Sequence, residues 1–181
     1  SRRARAPVAP LYQDCPDPVP VAVLKVSTGP FDFHEPMGNP EICRLELFWQ
    51  AMPGESEQEV AGQFRAWLDG LVEQHTGAFP APPEVHFPLR WLPGAFTPVS
   101  DPLVAELAAC AADTLGAPPT IQGIEGPCDM YVFREFGMPA ALWGARGGAT
   151  HGSDEYVEID TLVQAAATLL IFVCRWCGVR A

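Results

Sequence analysis

The sequence predicts an α/β protein, because strand-like and helical patterns alternate along most of its 181 residues. Residues 41–50 place apolar side chains mostly on one parity, which is typical of a strand with one face on a core. Residues 56–75 repeat apolar side chains at helical spacing, and the apolar run 162–173 suits a buried helix. Strands that alternate with helices favour a parallel or mixed sheet with covered faces.

The first elements follow a proline-rich start. The run VPVAVLKVS predicts a strand, and in EICRLELFWQ the side chains of Leu45, Leu47 and Trp49 indicate a second strand that a helix must cover. Ser56 and Glu59 have the spacing of a capping box, which predicts that an amphipathic helix begins there. Prolines in residues 84–99 reduce that extended segment to an edge strand or a strand leading into a loop.

The remaining elements continue the alternation. Ser100 or Asp101 is the predicted cap of a second long helix, with Pro102 at its first position and Gly116 as its stop. A short strand near PTIQG, a helix from about Asp129, an apolar strand MPAALWGA and a last helix from Asp160 complete the predicted order.

Composition narrows the classes of function. Eleven Lys and Arg residues against 22 Asp and Glu residues give a formal charge of −11, which repels nucleic acid and anionic membranes. The most apolar run, Leu162 to Val173, is shorter than a membrane span needs, so no membrane segment is expected. The N-terminus lacks the apolar part of an export signal, and the six cysteines are too sparse for a disulfide framework. A cytoplasmic protein with reduced thiols is therefore expected.

The Cys174–Cys177 pair in CRWC has zinc-ribbon spacing, but no second pair lies at a partner distance. Its helical spacing predicts that both thiols lie on one packed face, which disfavours a metal or redox role.

The stretch GGATHGSDEYVEID, residues 147–160, surrounds His151 with glycines and acidic residues. One interpretation is a loop histidine that satisfies a backbone carbonyl before a helix cap. The other is a metal ligand at the mouth of an active site, with Glu155 or a carbonyl accepting the second ring N–H. From these residues alone the first interpretation is favoured.

The order of motifs adds a resemblance that reverses this preference. The series MPGESEQEV, SDPLVAELAACAADTLG, GIEGPCDMYVFREFGMPAALWG and HGSDEYVEIDTLVQAAATLLIFV resembles the C-terminal half of the acetylornithine deacetylase / succinyl-diaminopimelate desuccinylase family. These are zinc aminoacylases and exopeptidases, and the resemblance covers roughly Val21 to the end. Its most specific part is the tail, where a glycine-rich loop precedes a histidine, a glutamate and a helix.

The resemblance implies a division of the chain. Residues 1–20 would be a proline-rich N-terminal segment, and 21–96 part of a two-layer α/β lid, the dimerisation domain. Residues 97–181 would be the C-terminal part of a zinc-peptidase-like α/β catalytic domain. A homodimer is then expected, with two zinc ions in the complete enzyme and an N-acyl amino acid or a small peptide as substrate.

The resemblance also implies site residues. His151 would be a metal ligand, while Asn39, Gly126, Pro127 and Asp129 would bind substrate. The family's His-x-Asp, bridging Asp, Glu–Glu pair and further carboxylate ligand have no counterpart ahead of the lid in these 181 residues, and Gln50 stands where the family has an Arg. This chain alone is therefore expected to be inactive and to hold no zinc. The alternative is a non-catalytic lid and scaffold module that mediates dimerisation.

Overall fold

The computed structural model describes residues 10–12, 15, 21–29, 42–124 and 126–179. Helices and strands both occur among them, which confirms the mixed α/β class in its general form. A 3-10 turn covers Pro10–Tyr12. The other elements are β1 (Val21–Thr28), β2 (Cys43–Trp49), α1 (Glu57–Gln74), α2 (Pro102–Leu115), α3 (Met130–Glu135), β3 (Gly147–Gly148), β4 (Tyr156–Val157) and α4 (Ile159–Cys177).

The chain forms two compact units. The first comprises Ser1–Gly94 together with Gly123–Pro127, and the second comprises Ala95–Gln122 and Cys128–Ala181. The segment Gly123–Pro127 belongs to the first unit and contacts the 3-10 turn, because the Gly123 N–H donates to the Leu11 carbonyl at 2.9 Å. The identification of the units with a lid and a catalytic domain remains a prediction.

The predicted parallel or mixed sheet is wrong for the described residues. β1 pairs antiparallel with β2, from Val21 opposite Trp49 to Thr28 opposite Cys43, and β3 pairs antiparallel with β4. The predicted strands in residues 84–99, 119–123 and 138–145 do not form. A strand needs a neighbour that accepts and donates its ladder hydrogen bonds, and no described segment pairs with these three.

The first unit differs from expectation at β2. Leu45 and Leu47 remain 59% and 39% exposed, so the prediction that α1 covers them is wrong. Trp49 does meet α1, because its ring lies edge-on to Phe64 with the centroids 4.9 Å apart. An edge-to-face contact suits the aromatic quadrupoles and anchors the end of β2.

The start of α1 confirms the predicted capping box. The Ser56 hydroxyl accepts a hydrogen bond from the Glu59 N–H at 3.3 Å, and Glu59 Oε2 accepts from the Ser56 N–H at 2.9 Å. These bonds from Ser56, the backbone one first, lower the pKa of Glu59. Val60, one residue further on, is buried.

The second unit is built on the packing of α2 against α4. Asp101 caps α2 by accepting from the Leu103 N–H at 2.9 Å, and Gly116 ends the helix at φ +74°, so both predicted ends are confirmed. The hydroxyls of Thr114 and Thr168 share a hydrogen bond of 2.6 Å. The buried side chains of the two helices are Val104, Leu107, Cys110, Ala111, Thr161, Ala165 and Thr168.

Helix α4 is more exposed than predicted. The expected run from Leu162 to Val173 lies within a helix of 19 residues whose mean hydropathy of 1.4 would suffice, by length and composition, to cross a bilayer. Only 17% of its apolar window is buried, so the prediction of a buried helix is wrong. The same length and composition also occur in core helices of soluble proteins.

Candidate functional site

His151 lies in the loop of a short β-hairpin. Gly147 pairs with Val157 and Gly148 with Tyr156, so residues 149–155 connect the two strands. A Cβ on Gly147 would collide with the Tyr156 carbonyl oxygen, which explains why glycine is needed at this close approach. The sequence predicted that this loop follows a strand in residues 138–145, but those residues form no strand.

The backbone of the hairpin loop is held in an uncommon conformation. Ala149 and His151 have φ values of +54° and +63°, in the left-handed region that L-residues seldom occupy. Two hydrogen bonds hold this geometry: the Gly152 N–H donates to the Ala149 carbonyl at 2.7 Å, and the His151 N–H donates to Glu155 Oε2 at 3.3 Å. The sequence predicted that Glu155 or a carbonyl accepts the ring N–H of His151, whereas Glu155 accepts from the backbone N–H of His151. The side chain of His151 is exposed.

Arg146 is a charged residue of this region that the sequence analysis missed. Its guanidinium Nη2 lies 3.4 Å from Glu158 Oε2, and its carbonyl accepts from the Glu158 N–H at 2.9 Å. Its own N–H donates to the Thr161 hydroxyl at 3.0 Å, so the cation stands at the start of α4. An open depression of about 540 Å³ is lined by Arg146, Glu158, Ile159, Asp160, Thr161 and Gln164. The position of Arg146 directly before the glycine pair is the sequence signal that could have identified it.

Asp129 is exposed and stands at the N-cap position of α3. Its carboxylate makes no capping hydrogen bond, so the prediction of a side-chain cap is wrong, and only its carbonyl accepts, from the Val132 N–H at 3.1 Å. Gly126 and Pro127 belong to the first unit, whereas Asp129 and His151 belong to the second. Asn39 lies outside the described residues.

The donor set can be tested against what zinc requires. A zinc site needs at least three protein ligands drawn from His, Cys, Asp and Glu. Within the described ranges no three such residues come together, around His151 or elsewhere. In a zinc site, His151 would therefore be one ligand, and groups outside this set would have to provide the others.

No family model matches the chain, and no curated protein is similar to it.

Proposed function

We propose that this chain is the C-terminal portion of a zinc-dependent amidohydrolase that cleaves the amide bond of N-acyl amino acids or small peptides. It contributes one metal-binding imidazole, that of His151, and is inactive without the portion that carries the other ligands. The observation that carries the proposal is the exposed His151 in a hairpin loop with left-handed backbone, within the part of the chain whose motifs resemble that family.

The loop geometry supports a role for the His151 side chain. A non-glycine residue in the left-handed region costs free energy that the surrounding contacts must offset, and such residues concentrate at functional sites. Here the offsetting contact is the hydrogen bond from the His151 N–H to Glu155. The main chain is thus restrained, while the His151 side chain is exposed to solvent. An exposed imidazole can offer a ring nitrogen to a metal.

In the proposed enzyme, this chain and the portion that carries the other zinc ligands contribute different parts of the site. Zinc, when bound, lowers the pKa of a coordinated water toward neutrality. This chain's part is to hold the imidazole of His151 on a hairpin whose strands are only two residues each. Arg146, an exposed cation on the same hairpin, is suited to bind the carboxylate of an amino-acid product.

The decisive comparison is between this chain and the longest polypeptide that its locus encodes. The 181-residue chain is expected to release no amino acid from N-acetylated substrates. The longer polypeptide is expected to bind two zinc ions and to release amino acid. In it, His151→Ala should lower activity by at least about 100-fold, since even indirect partners of metal ligands are worth 10–100-fold.

The controls separate a metal role from a structural one. The melting temperature of His151→Ala should stay within about 2 °C of the parent, because the side chain is exposed. Thr150→Ala, an exposed neighbour in the same loop, should retain full activity. Full activity of His151→Ala in a zinc-loaded long polypeptide would refute the proposal, as would a long polypeptide without bound zinc.

A second candidate function is dimerisation through the β1–β2 hairpin. Each of these strands has one edge that pairs with no other strand among the described residues, and Val23, Leu24 and Val26 are each about 60% exposed. Unpaired edges with apolar side chains are templates for strand addition. Light scattering should show a dimer that Val26→Lys dissociates and that Leu170→Lys, a matched change on exposed α4, does not. Dissociation by Leu170→Lys alone would place the contact on α4 instead.

A further inference from the structure

The two cysteines of CRWC do not lie on a packed face. The sequence predicted that their spacing buries both thiols, but Cys174 and Cys177 are exposed, and neither is in a disulfide. They occupy the last turn of α4, which ends at Gly178 with φ +75°. The structure therefore removes the argument against a role for this pair in metal binding.

Helical geometry determines what two thiols at this spacing can bind. Residues i and i+3 lie on the same side of a helix with their Cβ atoms about 5–6 Å apart. A disulfide needs Cβ atoms about 3.5–4.5 Å apart, so oxidation would require unwinding of the last turn. Two sulfurs that each extend one bond beyond Cβ can instead approach a single ion placed between them. The pair is arranged as a chelate.

The number of available donors selects the ion. Zinc in a structural site takes four ligands. No third His, Cys, Asp or Glu joins Cys174 and Cys177 in the part of the chain that the structure describes. Soft thiolates favour Cu(I), which two thiolates can satisfy. We propose that Cys174 and Cys177 form a two-thiolate binding site for a soft monovalent metal ion, Cu(I), on a single copy of the chain.

The surroundings of the pair keep the helix end in place. Arg175, between the two cysteines, binds Asp113 of α2 at 2.7 Å, and Trp176 stacks on Phe172 with the ring centroids 5.6 Å apart. These contacts stabilise the last turn of α4, so the backbone needs no large rearrangement for the two thiols to bind the ion. Binding transfers no electron: each thiol releases one proton to solvent, and two thiolates with Cu(I) leave a net charge of −1.

The test uses the whole chain and Cu(I) supplied as its acetonitrile complex without oxygen, in competition with bathocuproine disulfonate. One ion per chain should be retained, with a thiolate-to-copper charge-transfer band in the ultraviolet. Cys174→Ser and Cys177→Ser should each weaken binding by about 100-fold or more, because the second donor then no longer binds intramolecularly. Cys43→Ser, which removes an exposed thiol of β2, should bind like the parent.

Three results would overturn the site. The first is a Cys174→Ser/Cys177→Ser double variant, with unchanged helical circular dichroism, that keeps the parent's affinity for Cu(I). The second is half an ion per chain with dimer formation, which would mean that two copies share the ion. The third is displacement of Cu(I) by excess Zn²⁺, which would contradict the argument from donor number. Because the assay involves no hydrolysis, its outcome is independent of the function proposed for His151.

Discussion

The guanidinium Nη2 of Arg175 on α4 lies 2.7 Å from Oδ2 of Asp113 on α2, and this hydrogen bond raises the pKa of Arg175. Nη1 of the same group lies 3.8 Å from Glu106 Oε1 and 3.7 Å from the sulfur of Cys110. One cation therefore joins two carboxylates and a buried thiol across the packed helix pair. Both partners of the closest ion pair are about half exposed, so solvent and salt weaken it.

Removal of this ion pair should have a small effect that depends on salt. Asp113→Asn is expected to lower the melting temperature by at most about 4 °C at low ionic strength, because exposed ion pairs contribute little. At about 1 M NaCl the difference should vanish, since the screening length is then about 3 Å. Thermal melts at the two salt concentrations provide the measurement, and Asp69→Asn, the same charge change on α1, should show no such salt dependence. If Asp113→Asn still lowers the melting temperature in high salt, the pair stabilises the fold by packing and not by charge.

The thiol of Cys110 should be protected from reagents that modify the exposed cysteines. Cys110 is fully buried in the second unit, and burial, followed by its hydrogen bond to Glu106, raises the pKa of its thiol. Because the thiolate is the nucleophile, alkylation should reach Cys43, Cys174 and Cys177 in the folded protein and Cys110 only in denaturant. Peptide mapping after timed alkylation measures this. Modification of Cys110 at the rate of Cys43 would show that α2 and α4 separate readily.

The same raised pKa predicts a loss of stability at alkaline pH. The folded protein holds the Cys110 proton more tightly than the unfolded chain does. This contribution is complete below the ordinary thiol pKa and is lost as the pH rises through the raised value. Cys110→Ala should cost roughly 1 kcal/mol at neutral pH, through lost packing, and should flatten the alkaline decline. Urea unfolding from neutral to alkaline pH tests this, and a parallel decline in parent and variant would contradict it.

The capping box of α1 should contribute stability that acid reduces. Ser56→Ala is expected to cost about 1 kcal/mol at neutral pH, because it removes the acceptor of the Glu59 N–H. The lowered pKa of Glu59 means that its contribution is present above the ordinary carboxyl range and is lost as the pH falls through the lowered value. Urea unfolding of parent and Ser56→Ala should therefore differ less in acid, because protonation of Glu59 weakens the hydrogen bond from the Ser56 hydroxyl to its carboxylate in the parent. Ser100→Ala, next to the observed cap Asp101, is the matched control and should have almost no effect.

The hairpin that carries His151 should depend on the absence of a side chain at residue 147. Gly147→Ala places a methyl group against the Tyr156 backbone carbonyl, which cannot move without breaking the β3–β4 pairing. Gly144→Ala, three residues earlier, meets nothing within 4 Å and should be tolerated. Amide hydrogen exchange of Glu158, whose N–H donates to the Arg146 carbonyl, reports on the hairpin. Equal protection in both variants would show that the hairpin tolerates the added methyl group.

Local patterns were sufficient for the start of α1, for both ends of α2 and for the positions of β1 and β2. The Ser56–Glu59 box, the Asp101 cap and the Gly116 stop were all predicted, because each depends on residues within one helical turn. The prediction that the Asp129 side chain caps α3 was wrong. The residue type suits a cap, but the backbone of Asp129, with φ −77° and ψ 7°, does not have the extended conformation of a capping residue. At the candidate site, the sequence indicated a glycine-dependent turn around His151 but did not reveal Arg146 or the bond from the His151 N–H to Glu155.

Neighbouring residues and composition were enough to predict the start of α1, both ends of α2, the positions of β1 and β2, and the acidic charge. The fold as a whole was needed to show that residues 138–145 pair with no other described strand, that Leu45 is exposed and that Cys174 and Cys177 are exposed. Apolar periodicity shows which face of a helix or strand can be buried, but burial itself needs a second surface supplied by distant residues. For most of α4 and for the β1–β2 hairpin, the described residues do not supply that surface.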